Sequence, residues 1–211
     1  MAIRPFARVC AALSLLALAA FGAAPARADD APSDPAAKQI AVFSDTLLDS
    51  MRQAKALGIS GRYAKLKPVV EQTFDLAAMT RLAVGPSWAT LTAADQQALV
   101  DAFERMTLAN YARNFDGFSG EKFVIDPNVQ TRNDDRIVQT TLVPAKGAPV
   151  PFVYRMHQVG GVWKIVDIYL NGYVSELATR RSDFAATIAS GGSAALIKRI
   201  NALSDKLMTG S

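Results

Sequence analysis

The chain has 211 residues, half of them apolar, with 23 Lys and Arg against 19 Asp and Glu, one His and one Cys. Arg4, Arg8, Arg27 and the lone Cys10 all fall in the first 28 residues. The remainder is therefore almost neutral and free of thiols, which removes the case for a nucleic-acid partner, a disulfide or a cysteine nucleophile.

Residues 1–28 read as a secretory signal peptide: a basic MAIRPFARVC, an apolar AALSLLALAAFGAA, and a small-x-small site at Ala26-Arg27-Ala28. The apolar run is shorter than the roughly 20 residues of a membrane span, and Cys10 precedes it, where a lipid anchor would need the cysteine at its end. The expectation is a soluble periplasmic protein beginning near Asp29, with residues 29–211 as one domain.

Ser33, Asp34 and Pro35 open a first helix, and Ile40, Phe43, Leu47 and Met51 recur at helical spacing until Gly58 and Gly61 interrupt. RYAKLKPVVEQTF and then DLAAMTRLAV, capped by Asp75, predict two shorter helices, followed by a turn at GPSW. Thr92, with Asp95 and Gln96 close behind, opens a helix to about Asn114. Its Leu99, Phe103, Met106, Leu108, Tyr111 and Phe115 make an unusually wide apolar surface.

The period then changes to two. EKFVI, RIVQTTLV, PFVYRMHQV and VWKIVDIYL alternate, and Gly160-Gly161 joins the last two as a hairpin. Helix resumes after Asn171-Gly172, with Ser182 capping one segment, Gly191-Gly192 ending it, and Leu196, Ile200, Leu203 and Leu207 marking a last amphipathic stretch. This order predicts an α+β domain with helices on one face of a twisted four-stranded antiparallel sheet.

Counting outward from the Gly-Gly turn assigns the two faces of the hairpin. Gln158 pairs with Trp163, Met156 with Ile165, Tyr154 with Asp167, and Phe152 with Tyr169 on the face toward the helices. His157 with Lys164, Arg155 with Val166, and Val153 with Ile168 form the face toward water. The inward set is rich in aromatics with polar tips and carries a thioether and a carboxylate. It suits a solid core less than a run of Leu and Ile would, and it also describes a small-molecule cavity. An inward Asp167 must be paired, hydrogen-bonded or protonated, and Tyr154 opposite is its natural donor.

Several chemistries are excluded. The only histidine, His157, falls on the outward face, which counts against a Ser-His-Asp site and most zinc sites. No P-loop, dinucleotide glycine fingerprint or GxSxG occurs; Gly58-Ile59-Ser60-Gly61-Arg62 lacks the final glycine. One enzyme reading survives, a small-molecule site in a cone-shaped α+β fold with Asp167 as general base and Tyr154 as donor. Arg180 and Arg181 follow Glu176 at helical spacing and read as a solvated face. No metal or cofactor is expected.

In WKIVDIYLNGYVSELATRRSDFAATIASGG, the residues Trp163-Lys164, Asp167-Ile168, Gly172, Ser175, Arg181-Ser182-Asp183-Phe184 and Gly191-Gly192 resemble the C-terminal signature of the MlaC-type periplasmic lipid-carrier family, the toluene-tolerance auxiliary proteins. FDLAAMTRLAVGPSWATLTAADQQALVDAFERMTLANYA resembles that family's central region, and the spacing of GRYAKLKPVVEQTFDLAAMTRLAVGPSW is most similar to its hopanoid-associated HpnM branch. The resemblance implies a sheet and helices enclosing an apolar cavity that takes lipid acyl chains. It implies a phospholipid or hopanoid ligand, passed between an inner-membrane ABC transporter with its MCE-domain protein and an outer-membrane lipoprotein complex. It identifies no catalytic residue.

The expected cavity lies between the hairpin's inward face, with Phe152, Tyr154, Met156, Trp163, Ile165, Asp167 and Tyr169, and helices carrying Phe43, Leu47, Phe74, Met79, Leu82, Phe103 and Met106. A monomeric carrier suffices for such a task. At roughly 0.8 kcal/mol per methylene, a lipid with about 30 methylenes costs on the order of 24 kcal/mol to expose to water. A dry pocket that matches the bilayer needs no nucleophile or metal to move it.

Overall fold

The computed structural model describes residues 32–209; the expected signal peptide, 1–28, lies outside them. Asp34 caps the first helix, α1 (Pro35–Arg52), accepting from the Ala36 and Ala37 amides, and Pro35 sits at its first position, where no donor is needed. Ile40, Phe43, Leu47 and Met51 are buried along one side, as their spacing predicts. Helix α2 (Ala54–Thr73) breaks at Gly58, whose φ of 60° and ψ of −175° suit glycine alone. The break frees the Ala54 carbonyl, and buried Arg62 answers it: Nη1 donates to Ala54 O at 3.0 Å and Nε to Ala112 O at 2.8 Å. Ala112 lies in the last turn of α4 (Ala93–Asn114), where carbonyls lack helical partners, so one guanidinium satisfies two helix ends. Lys67, bonded to both Glu71 and Glu104, adds a second tie between α2 and α4.

Asp75 caps α3 (Leu76–Val84) through the Ala78 amide, a 3-10 turn spans Gly85–Thr90, and Thr92 caps α4 through the Asp95 amide, all where the sequence places them. Six antiparallel strands follow. These are β1 (Lys122–Ile125), β2 (Gln130–Arg132), β3 (Asp135–Val143), β4 (Val150–Val159), β5 (Val162–Leu170) and β6 (Val174–Ser175). The sheet order is β1-β3-β4-β5-β6, with β2 also pairing β3. The expected count of four is corrected by β2 and β6. Both are short, and β2 is exposed along its length, so neither carries the apolar alternation that marks a strand in sequence.

The hairpin turn is as read: Gly160 and Gly161 both have positive φ, and Val159 pairs Val162. The register holds through Gln158 with Trp163, His157 with Lys164, and Met156 with Ile165. It then slips. Arg155 pairs Asp167, Tyr154 pairs Ile168, Val153 pairs Tyr169 and Phe152 pairs Leu170, leaving Val166 as the extra residue of a β-bulge. Asp167 and Tyr169 therefore leave the aromatic face expected for them, and Ile168 and Leu170 take their places.

The last helix, α5 (Glu176–Thr209), starts six residues before Ser182, which lies inside it; Ser175 is the cap, its hydroxyl accepting from Ala178 N at 3.0 Å. The break expected at Gly191-Gly192 is present, with Gly192 at a φ of 68°. Among the described residues no helix is long and apolar enough to cross a membrane. The buried core joins Phe43, Leu66, Phe74, Leu99, Phe103 and Met106 of the helices to Val138, Tyr154, Met156 and Ile165 of the sheet.

Candidate functional site

The core stops short between α4, the first turns of α5, and the Phe152 and Leu170 ends of β4 and β5. A cleft of about 560 Å³ opens there, in the middle of the range typical of small-molecule sites. Leu47, Phe74, Met79, Phe103, Phe152 and Tyr154, all anticipated from sequence, meet in its wall. Phe74 and Tyr111 stand edge-on to each other with ring centroids 5.9 Å apart, and Tyr111 stacks on Phe115 at 5.7 Å. Ile168, Leu170 and Leu177 complete the apolar surface.

The other expected lining residues lie elsewhere. Phe43 is buried behind the wall, edge-on to both Phe74 and Tyr111. Met156 and Ile165 are a fully buried core pair. Trp163 lies under the Arg136 guanidinium, 5.1 Å from its carbon to the ring centroid. Leu82 is 43 % exposed, because the buried face of α3 runs through Leu76, Met79, Thr80 and Ala83, and Leu82 falls outside it. Met106 is buried beneath the polar end of the cleft.

Asp167 has a different task from the one the sequence suggested. Its Oδ1 accepts from Ile168 N at 2.8 Å and Leu177 N at 3.4 Å, and its Oδ2 from the Ser175 hydroxyl at 2.7 Å. Together with Ser175, it caps α5 and puts a negative charge at that helix's positive end. It does not meet Tyr154, so the acid and donor pair of the carboxylate-enzyme reading is not assembled. Tyr169 is on the other side of the sheet, in a mixed polar groove of about 510 Å³ with Arg132, Asp135, Gln139 and Arg155. There Arg155 Nε donates to Asp135 Oδ2 at 2.6 Å. His157 keeps its expected pairing with Lys164 but does not simply face water: its Nε2 lies 2.8 Å from Asp75 Oδ2, tying the hairpin to the cap of α3.

The cleft is not uniformly apolar. Thr107, Asn110 and Asn114 of α4 and Glu176 and Arg180 of α5 reach into it. Arg180 Nη2 lies 3.5 Å from Glu176 Oε2, and Nη1 lies 3.5 Å from the sulfur of Met106. Burial holds the Tyr154 phenol above its ordinary value near 10, and burial and then the neighbouring Tyr154 hold Tyr111 well above its own. Both phenols thus remain donors across the physiological range. Raised folded-state values also set the sign of a pH effect: the protonated phenols cost nothing below pH about 10, where unfolded tyrosine is protonated too, and stability falls as the pH rises beyond it. Denaturation midpoints should drop more steeply between about pH 10 and pH 11 than in a Tyr111→Phe, Tyr154→Phe double variant. Parallel slopes would show that the two rings are not shielded.

Sequence reasoning missed Ile168, Leu170, Glu176, Leu177 and Arg180. The bulge concealed the first two, and an expected cap at Ser182, six residues beyond the observed start of α5, concealed the others. Tyr111 and Phe115 were already legible as part of the wide apolar surface of α4.

Among the described residues no group of three or more His, Cys, Asp or Glu could hold a metal ion. Comparison with curated proteins finds no match. The fold is similar to that of a phospholipid-binding protein from Ralstonia solanacearum, solved in complex with a phospholipid. The TM-score is 0.72 at 21 % identity, over 83 % of this chain and 99 % of that one. The model of the family described as MlaC protein matches residues 42–202.

Proposed function

The chain belongs to the MlaC protein family, and from that premise we propose that it is a lipid-binding carrier whose cleft takes acyl chains. The observation that carries the reading is the cleft itself, walled by Phe74, Phe103, Tyr111, Phe152, Ile168 and Leu170 and opening where the core would otherwise close. Such a wall removes hydrocarbon from water with no demand on any reactive group. The phospholipid held by the Ralstonia protein of similar fold supports the same ligand class. With Asp167 committed to capping α5, binding and transport account for the site better than catalysis does.

In this reading the chain is exported by its signal peptide and works in the periplasm as a monomeric domain of residues 29–211. It carries phospholipid, or a hopanoid-type lipid as in the HpnM branch, between an inner-membrane MCE-domain and ABC transporter complex and an outer-membrane lipoprotein complex. Native mass spectrometry of protein purified without detergent from a bacterial periplasm should show a mass excess of one lipid, identified after organic extraction. Protein recovered at its bare polypeptide mass, and unable to take lipid from vesicles afterwards, would reject the proposal.

A further inference from the structure

Where α1 ends and α2 begins, beside the loop that leaves α4, a pocket of about 540 Å³ opens that shares no residue with the cleft. Its wall holds three cations, Arg52, Lys55 and Arg62, and one acid, Asp116. Arg62 is 7 % exposed. Its Nε and Nη1 are spent on the Ala112 and Ala54 carbonyls, and Nη2, with two N–H donors, has no acceptor among the described residues. Carbonyls at a helix end lend only about half a charge, so a buried cation stands partly uncancelled, a state that burial penalises. Arg52 and Lys55 add to the surplus. Neither has an ion pair or hydrogen bond among the described residues: Arg52 lies over the Phe118 ring at 5.0 Å, and Asp49, one turn before it, is taken by Lys65 at 2.5 Å and Gln53 at 2.8 Å. Asp116 pairs with none of the three.

Charge and donor count together specify an oxyanion. A carboxylate brings two oxygens and one charge, and a phosphodiester brings no more. A phosphate monoester, like free phosphate, brings at least three terminal oxygens and close to two charges near neutral pH. Three cationic heads from two helices, with one acid among them, match the last. We propose that Arg52, Lys55 and Arg62 form a site for a phosphate monoester or free phosphate. Arg62 Nη2 is its fixed donor, held in place by the two carbonyls, and Arg52 and Lys55 close on the anion from the exposed rim. Asp116 opposes binding and sets its strength. The site is separate from the cleft and stands whether or not the cleft carries lipid.

The test titrates isotope-labelled mature protein with inorganic phosphate, glycerol 3-phosphate and, as a control, acetate, at neutral pH and fixed ionic strength. NMR follows the Arg62 Nε–H signal and the amides of residues 52–62 and 116–118. Both phosphates should produce saturable shifts there and bind about tenfold or more tighter than acetate, the worth of one further charge-assisted contact. Joint replacement Arg52→Gln and Lys55→Gln should weaken both phosphates by about tenfold or more, and Asp116→Asn should tighten them. These three side chains are exposed, whereas Arg62 ties two helix ends and is left in place. Melting curves confirm that the variants are folded, and the wild-type preference over acetate decides the matter whether or not they are. Tighter inorganic phosphate would name the free ion as the occupant and tighter glycerol 3-phosphate an ester; either supports the site. Absence of saturable shifts, acetate bound as tightly as phosphate, or an affinity unchanged in the folded double variant overturns it. Displacement of phosphate by a lower concentration of an Asp-rich peptide would assign the cations to an acidic protein segment and overturn the phosphate assignment.

Discussion

Replacing Asp167 by alanine should destabilise the protein by about 3 kcal/mol, because it removes charged hydrogen bonds and half of a helix cap at one buried position. Asp167 is 7 % exposed, and its carboxylate accepts from two backbone amides and one hydroxyl. Alanine leaves the Ile168 and Leu177 amides without their acceptor and the Ser175 hydroxyl free to turn away from Ala178. For a domain of this size the loss lowers Tm by about 6–12 °C. Asp167→Asn keeps one carbonyl oxygen for the amides, and its amide group can donate to Ser175 Oγ, so it should cost about 1 kcal/mol. The ranking separates a cap from a catalytic base, for which both substitutions would abolish turnover and leave the melting curve nearly unchanged. Urea titrations of the three proteins give the answer; an alanine variant as stable as wild type would remove Asp167 from the architecture of α5.

The cap also explains how the wall of the cleft is held. Glu176, Leu177 and Arg180 enter the site only because α5 starts at Glu176, and it starts there because Asp167 and Ser175 meet its first amides. The sheet and the helix start are therefore one device. The bulge at Val166 turns Asp167 off the aromatic face and onto the edge where β6 delivers Ser175.

Asp167 also marks where the sequence could and could not be read. Helix caps at Asp34, Asp75 and Thr92, the apolar side of α1, and the Gly160-Gly161 turn depend on residues within one turn of each other, so local pattern suffices for them. The far half of the hairpin does not work that way. Strict alternation carries Asp167 inward beside Tyr154, and the cost of burying an unpaired carboxylate there was the available sign that the alternation fails. The consecutive apolar pair Ile165-Val166 is where one residue can be dropped from the register. The start of α5 was hidden for a related reason: its cap is composite, and Asp167, eight residues before Ser175, belongs to another element. The cleft was legible as a composition, aromatics with polar tips, but its wall required the register, so Ile168 and Leu170 were exchanged for Asp167 and Tyr169.

Filling the cleft should weaken cargo binding about 30-fold with little effect on the fold. Thr107 lies on the cleft side of α4, its hydroxyl spent on the Phe103 carbonyl at 2.9 Å, and Leu170 faces the same space from β5. In a packed core an indole at either position would force strain of about 1–3 kcal/mol; here it enters space that holds no protein atoms, so Thr107→Trp should shift stability by less than about 1 kcal/mol. The same indole excludes hydrocarbon. Displacing two to three methylenes forfeits about 2 kcal/mol, which is about a 30-fold loss of lipid affinity. Leu170→Trp approaches from the opposite wall and should act alike, which controls for a local disturbance of either element. Displacement of a pyrene-labelled phospholipid measures the affinity, and thermal melts on the same samples measure the fold. If both variants retain lipid with wild-type affinity and wild-type Tm, the acyl chains lie elsewhere, and the polar groove around Arg155 and Tyr169 on the other side of the sheet becomes the place to look.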